Sequence, residues 1–486
     1  MGTSPKTPLI GFTTSNAFLR EKGLTHVVSI LAVWIGQLTA FILRLTGRNA
    51  TSLPGKMALR IDSRLLQKLS EQLRQCVVVT GTNGKTTTAS LLSAMIKQST
   101  VLIHNAEGAN LPQGLTTALL RHTSFVGRLK TTTALFEIDE ATLPLVAPYL
   151  PIQALVVTNV FRDQLDRYGE LDTTIEKLVS GISVTQTTVI LNADDPLAQI
   201  VGLRSGRPVV YFGLAKNLAT SQIRDQVRDG AFCLQCGSLL EYTGFVYGQL
   251  GSYRCPQCGF HTPAADYSGQ VIHGQLIVYE ATQPPLHLPL PVSGMFNAYN
   301  ALAAVACARF LSISAENIAQ GLSHYQAPLG RMQVFSTNPQ TVLNLIKNPT
   351  GCDSVLQAIA SEPGKKVLCV AINDLAADGK DVSWLWDADF ELVIEQGQFV
   401  HCVATGLRAE DMALRLKYGG YPEDKLSWQV RLEDGLEEAL VVAREQADVA
   451  IVHVLSTYTA LYPLTQLLTR RVATHEQALT HRSSVS

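Results

Sequence analysis

The 486-residue sequence has no Pro-rich or Ser-rich low-complexity stretch and no repeat of fixed period, which excludes a linker-like or solenoid chain. It has no excess of either charge. The formal net charge is −1 with both signs spread along the chain, so neither a nucleic-acid surface nor an acidic tail is indicated. It has no Cys–His or Ser–His nucleophile motif, and near the N-terminus no small-residue cleavage site of a signal peptide. It also lacks the Gly that a strict P-loop would place at position 79, where Val79 stands. What is present is 46% hydrophobic residues, ample for the two or three cores that this length implies.

The most informative segment is Val77-Val78-Val79-Thr80-Gly81-Thr82-Asn83-Gly84-Lys85-Thr86-Thr87-Thr88. Its β-branched run reads as a buried strand, a Gly-containing turn follows, and Ala89 to Ile96 reads as a helix. Such a loop aims backbone N–H groups, a lysine and the positive end of a helix at phosphate oxygens, with Thr86 placed to reach Mg²⁺. A ligand-free strand–helix turn is the plain alternative. Lys and Thr following the second Gly, in the order phosphate chemistry needs, argue against it.

Strand and helix patterns then alternate. Ala134–Ile138, Ala154–Thr158 and Val189–Leu191 read as strands with polar ends at Glu137, Asn159 and Asn192. Polar strand ends separated by helices imply a parallel α/β sheet with its site along the C-terminal edge. Glu137, at one such end, can hold Mg²⁺ through oxygen, although alone it would read as a solvated carboxylate. Met57–Leu73 and Asn297–Leu311 read as helices, and Pro284–Pro291 as a strand region. Beyond Arg331 a second α/β unit begins, with expected strands at Val342–Ile346, Lys366–Ala371, Phe390–Ile394, His401–Thr405 and Val449–Leu455.

The pattern breaks between about 229 and 262. Cys233-Leu234-Gln235-Cys236 and Cys255-Pro256-Gln257-Cys258 form two CxxC knuckles, each followed by a Gly that permits its tight turn. Four thiolates so spaced fit a closed tetrahedral Zn²⁺ ribbon, hence a structural metal; a pair of reducible disulfides is the alternative. Arg254 is the only basic residue in the interval, which ranks a nucleic-acid ribbon low.

Val27 to Leu43 is mostly apolar, with Gln37 its strongest polar interruption, and Arg44 follows. It is near the lower limit for a membrane span, and fits equally an amphipathic helix lying on a bilayer with Trp34 at the interface, or a helix packed on the body. Its length favours one of the last two.

The short form Gly-Thr-Asn-Gly-Lys-Thr-Thr resembles the ATP loop of the Mur ligase superfamily. Asn192, Asp194 and Asp195 resemble that family's nucleotide-edge motif. Gly294 to Asn300 resembles its Gly-x-His-Asn-x-x-Asn helix start, with Phe296 in place of His; the resemblance implies that Asn297 and Asn300 face adenine. Gly330-Arg331-Met332 resembles the turn whose arginine meets the γ-phosphate. The stretch Phe161 to Asp166 resembles another family segment, with Gln164 where a metal-binding His is usual. Within the superfamily the MurT branch is the most similar, through Leu53-Pro54-Gly55-Lys56, Phe161 to Glu170, the four-cysteine ribbon, Lys347-Asn348-Pro349 and the block Asn373 to Trp384.

The resemblance implies an N-terminal apolar helix and linker over 1–55 and a Mur ligase central P-loop ATPase domain over 56–331. It implies a zinc ribbon inserted at about 229–262, and a C-terminal Rossmann-like α/β domain over 332–486. It implies ATP and Mg²⁺ at Gly81 to Thr87, and amidation of the D-glutamate α-carboxyl of lipid II through an acyl phosphate. Ammonia would come from a GatD-like glutaminase partner in a heterodimer, with no nucleic acid involved, in the cytoplasm at the inner face of the plasma membrane. An aspartate of this chain would complete the partner's Cys–His pair. Asp378 ranks first, then Asp374 and Asp381, with Asp353 behind them, on the requirement that such an acid lie exposed at the interface. An amino-acid-adding Mur or folylpolyglutamate-type ligase, and a nucleotide-binding ribbon scaffold without turnover, are the rival readings.

Overall fold

Apolar, β-branched runs build the centres of two sheets, and their polar ends converge on one cleft. The computed structural model describes residues 14–46, 51–105, 109–162, 171–214, 229–292, 294–395, 398–446 and 448–483. The first sheet contains β1 (Gln75–Thr80), β2 (Ile103–His104), β3 (Thr133–Glu137), β4 (Ile152–Val157), β5 (Thr188–Asn192) and β6 (Val209–Leu214). A hairpin of β7 (Glu241–Tyr247) and β8 (Leu250–Arg254) stands apart, and the first sheet resumes with β9 (Tyr267–Ile272), β10 (Gln275–Glu280) and β11 (Gln283–Pro289). Its nine strands run in the order β11-β10-β9-β6-β5-β4-β1-β3-β2, parallel from β9 to β2 with an antiparallel edge at β10 and β11. The Pro-rich segment is that edge, where the donors Pro lacks are not needed by an inner neighbour.

Order reverses around β1, which lies between β4 and β3. Ligands in open α/β sheets bind outside the C-terminal ends at such a switch point. Helix α4 (Lys85–Ile96) follows β1 directly, and helix Met295–Phe310 packs beside it with twelve buried residues from Asn297 to Ala308.

The second sheet contains β12 (Gln333–Phe335), β13 (Gln340–Leu345), β14 (Lys365–Ala371), β15 (Phe399–Thr405), β16 (Leu426–Gln429) and β17 (Val449–Ser456). It runs in the order β12-β13-β17-β14-β15-β16, parallel from β13 onward.

Two expectations are corrected. Phe390–Ile394 is not a strand: residues Glu391–Glu395 form a short helix, and Phe390 just before it and Leu392 within it share a core cluster with Leu385 and Met412. A five-residue apolar run has no periodicity that separates the two states. The helix expected over Met57–Leu73 is two helices, α2 (Leu53–Ile61) and α3 (Leu65–Ser70). Asp62 breaks it by leaving the helical conformation, accepting from Arg64 N and holding Lys68 Nζ at 2.8 Å.

The apolar segment near the N-terminus lies within α1 (Thr14–Leu45), which packs on α2 and on α5 (Pro112–Arg121). Ala32 and Val33 are fully buried, and a Cβ on Gly36 would lie 2.6 Å from Leu120. The body-packed reading therefore holds for this face of the helix.

Candidate active site and thiol cluster

The loop after β1 is pinned by the segment that follows β4. Thr82 N donates to Asn159 O at 3.0 Å, Asn83 N to Asn159 Oδ1 at 2.9 Å, and Thr158 Oγ1 to Asn83 O at 2.7 Å. Thr82 Oγ1 and Phe161 exchange hydrogen bonds through the Phe161 O and N–H. The strand end of β4 thus fixes the phosphate loop before any ligand arrives, so little order has to be imposed on binding.

Gly84 caps α4 at φ 84°, a left-handed conformation that costs glycine little. A Cβ there would sit 2.0 Å from Asn300 Oδ1. Gly84→Ala combines strain with this clash. We expect it to lower stability by about 1–3 kcal/mol and nucleotide affinity by at least roughly tenfold, measured by thermal unfolding and calorimetric titration with ADP.

Lys85 is only 8% exposed. Its Nζ donates to Gly81 O at 2.6 Å and to Glu140 Oε2 at 3.1 Å, with Asp139 Oδ1 at 3.6 Å. The ammonium is held against the loop by two acids just beyond the end of β3. Thr86 Oγ1 donates to Glu137 Oε1 at 3.1 Å, which brings together the two residues expected to hold Mg²⁺. Glu137 is buried, and its backbone is fixed by paired hydrogen bonds with the Asn105 amide. Burial raises its pKa, opposed by the charge of Lys85, the Thr86 hydrogen bond and Arg331. Arg331 in turn is lowered by burial and raised by Glu137 across the cleft.

The cleft has a volume of 330 Å³, with Thr82 to Thr87, Glu137, Asn297, Asn300 and Arg331 along its wall. Asn300 braces the phosphate loop, accepting from Thr88 Oγ1 at 3.4 Å and donating to Asn297 Oδ1 at 3.3 Å. Gly81 stands behind the loop, where a Cβ would meet Thr158 Oγ1 at 2.5 Å.

Asn192 does not line the cleft. It is fully buried, donating to Thr158 O and accepting from Asp194 N, so it serves as a strut beneath β4. Asp194 and Asp195 are likewise committed, the first to Tyr299 and Leu214, the second to Val160 and the start of helix Pro196–Ser205. Burial pushes their carboxyls up to about 7 and about 6.

The second sheet closes the cleft. Asn348 caps helix Pro349–Ser361 by accepting from Gly351 N, and it exchanges amide hydrogen bonds with Asn83 at 3.1 and 3.3 Å. Lys347 and Tyr247 also line the cavity. Tyr247 belongs to the Cys-bearing hairpin and has no local sequence signal; only the fold delivers it.

The aspartate block separates by exposure. Asp378 is 5% exposed and accepts from Thr459 N at 2.7 Å, Thr459 Oγ1 at 2.5 Å and Leu375 N at 3.1 Å. Asp374 lies 3.5 Å from Arg408. Asp381 is exposed and accepts from Ser383 N, a bond that lowers its pKa. Asp378, ranked first in the sequence, is thus held between Leu375 of its own loop and Thr459 of the helix after β17, whereas Asp381 has the exposure that an interface acid requires. Asp353 is half-buried and accepts from Asp389 N, and desolvation pushes its carboxyl up to about 7. Residues 163–170, including Gln164, lie outside the described residues.

The four cysteines of the two knuckles converge, with every pair of sulfurs within 4.8 Å. Cys233 and Cys258 are 3.6 Å apart and Cys236 and Cys255 3.4 Å, too long for disulfides and close to the ~3.8 Å edge of a tetrahedron with 2.3 Å Zn–S bonds. Both knuckles repeat one geometry, with Gly237 and Gly259 each at φ 77°. The donor set fits Zn²⁺.

Two families match the sequence: the Mur ligase middle domain over residues 79–244 and the MurT ligase C-terminal family over residues 345–461. The chain is 35% identical over 461 residues to the lipid II isoglutaminyl synthase (glutamine-hydrolyzing) subunit MurT of Streptococcus pneumoniae, covering 92% of this chain and 98% of the relative. The protein of the same description in Staphylococcus aureus is 34% identical over 441 residues, covering 90% and 97%. The chain belongs to the MurT family. Among solved structures, a pseudomurein peptide ligase type C from Methanothermus fervidus superposes with TM-score 0.66 at 21% identity, over 84% of this chain and 81% of that one. MurF from Acinetobacter baumannii gives 0.62 at 18% identity over 86% and 80%; both support a mixed α/β Mur ligase fold for this MurT-family chain. A UDP-N-acetylmuramate–L-alanine ligase of Ralstonia pickettii is 25% identical, over only 55% of this chain and 46% of the relative.

Proposed function

We propose that this chain is the ATP-using subunit of a glutamine-hydrolysing lipid II isoglutaminyl synthase acting in peptidoglycan synthesis. The observation that carries the reading is identity of 34–35% across at least 90% of the chain to MurT subunits of that description. Amino-acid-adding relatives match 53–68% of the chain at 24–26% identity.

In this reading residues 56–331 form the ATP-binding domain with a zinc ribbon inserted at about 229–262, residues 332–486 a Rossmann-like domain, and residues 1–55 the N-terminal helix and linker. Thr86 and Glu137 would hold Mg²⁺, which when bound neutralises phosphoryl oxygens. The loop N–H groups receive the phosphates of ATP. Lys85 and Arg331 stabilise charge on the transferred phosphoryl group as the D-glutamate α-carboxylate oxygen attacks it and ADP leaves. Ammonia then attacks the acyl carbon, phosphate departs with the bonding pair, and loss of a proton leaves the amide. Carboxylate alone is a poor electrophile, and the acyl phosphate supplies the leaving group.

The ammonia comes from a GatD-like glutaminase subunit, the complex working in the cytoplasm. Asp381, the exposed acid of its block, orients the partner's catalytic histidine, with Asp374 next and Asp378 last. Asp381→Asn is expected to lose amidation with glutamine by roughly 10³–10⁴-fold, while amidation with high ammonium at raised pH stays at the parent level. Asp378→Asn instead releases Thr459 and lowers both activities together. If the Asp381 variant uses glutamine normally with its partner, the cross-subunit acid lies elsewhere.

A further inference from the structure

Helix α1 is apolar on two opposite faces. One face, with Ala32, Val33 and Gly36, is packed on the body. The other carries Val27, Leu31, Trp34, Leu38, Phe41, Ile42 and Leu45, each 47–72% exposed. At 3.6 residues per turn these seven fall within roughly a third of the circumference, a stripe about 27 Å long. The helix is long and apolar enough to cross a membrane, yet only 22% of its apolar window is buried. It is nevertheless tied down laterally. Gln37 Nε2 donates to Thr123 O at 2.7 Å, Ser29 Oγ to Asp62 Oδ2 at 2.7 Å, and Trp34 Nε1 to Phe125 O at 2.7 Å. A span would break all three and strip the buried face.

The last of these bonds extends the stripe. It turns the indole N–H inward and sets Trp34 beside Phe125 and Val126, which are 74% and 60% exposed. The chain segments that carry the stripe and the tip are free of acids, and Asp62, which meets α1 at Ser29, is buried and paired with Lys68. The sequence contains no Asp or Glu from Lys22 to Ile61 or from Gly108 to Phe136, in a chain of net charge −1. Arg44 sits among the stripe residues, and Arg128 and Lys130 follow Val126, all three exposed.

We propose that this face is a membrane-docking surface: α1 lies flat in the interface of a bilayer rich in anionic lipid, its stripe and the Phe125–Val126 tip inserted and the basic residues on the headgroups. Charge selects this occupant. Two copies paired through the stripe would oppose like-charged rims, whereas anionic headgroups complement them. The proposal rests on the lipid II reading only for why a membrane is useful: it holds the cleft at the surface from which a lipid-anchored substrate projects.

The test uses the full chain and vesicles without substrate, so its failure leaves the amidation reading untouched. Sedimentation with phosphatidylglycerol vesicles should recover the chain in the bound fraction, and phosphatidylcholine vesicles should recover far less. Leu38→Glu with Phe41→Glu should lower vesicle affinity at least roughly tenfold without moving the unfolding temperature, since both side chains are exposed. The triple variant Arg44→Gln, Arg128→Gln, Lys130→Gln should weaken binding and flatten its salt dependence. No binding of the parent chain to anionic vesicles overturns the proposal, as does equal binding by the double variant. Resistance of the parent chain to alkaline extraction assigns α1 to a span. A fall from dimer to monomer, or loss of the partner subunit, in the double variant assigns the stripe to a protein interface.

Discussion

Lys85→Ala is expected to reduce amidation of lipid II by at least roughly 10²–10³-fold, with glutamine or ammonium as nitrogen source. The ammonium sits where phosphoryl charge would develop, and Arg331 on the facing wall cannot replace it because it is set by a different turn. The loss will not be confined to chemistry. Lys85 is the ion partner of Glu140 and lies near Asp139, and both acids are buried. Removing one partner of a buried pair costs about 3–5 kcal/mol, so the variant should also unfold at lower temperature. Bound nucleotide is not needed to see this, and a thermal melt of the ligand-free variant measures it. Lys85→Arg keeps the charge and should recover much of the melting temperature. It should recover little turnover, because a planar guanidinium does not fit a site built around a compact ammonium. Amidation by Lys85→Ala at the parent rate would place the phosphoryl site elsewhere.

The second large effect is expected at the thiol cluster. Purified chain should carry one Zn²⁺, bound by Cys233, Cys236, Cys255 and Cys258, and Cys233→Ser should lose it. Structural zinc sites in isolated fingers are worth about 10–16 kcal/mol of apparent binding energy, much of which becomes folding energy of the hairpin. The consequence reaches the cleft because the hairpin is bonded to the segments that follow β4 and β5. Gln249 Nε2 donates to Val160 O at 2.6 Å, Tyr253 OH to Gln199 at 2.6 Å, and Gly251 N to Asp194 O at 2.9 Å. Tyr247 from the same hairpin lines the nucleotide cavity. Metal loss should therefore lower the melting temperature and raise the KM for ATP together. Elemental analysis and melts with and without chelator measure this; a Cys233→Ser chain that keeps both metal and stability would remove the structural role. Cys236 and Cys258 are exposed while Cys233 and Cys255 are buried, so chelators reach the cluster from one side.

Local features carried most of the architecture. The β-branched run before Gly81 sits in β1, the Ala-rich segment after Met295 is a buried helix, and the doubled CxxC spacing predicts the sulfur cluster without reference to any neighbour. The site was legible where one motif supplies several groups in a row, as from Thr82 to Thr87. It was illegible where partners are distant in sequence. Asn348 meets Asn83 across 265 residues, and Asp194 meets Tyr299 across 105. No periodicity reports such pairs. The exposure of each aspartate was hidden for a related reason. Asp374, Asp378 and Asp381 look alike within one loop, and what distinguishes them is Thr459, contributed by the helix after β17. Short apolar runs such as Phe390–Ile394 failed because the choice between helix and strand was made by packing and not by the residues themselves.

The prolines at 284, 285 and 289 acquire a further meaning from their place at the outer strand of the nine-stranded sheet. A sheet that wide normally ends in a row of unsatisfied backbone donors, a template on which another chain can grow. Here one end has three of its seven residues without a backbone donor, and the other, β2, is two residues long. Neither margin offers a ladder worth extending. Pairing of another chain's backbone onto this sheet is thereby disfavoured at both margins.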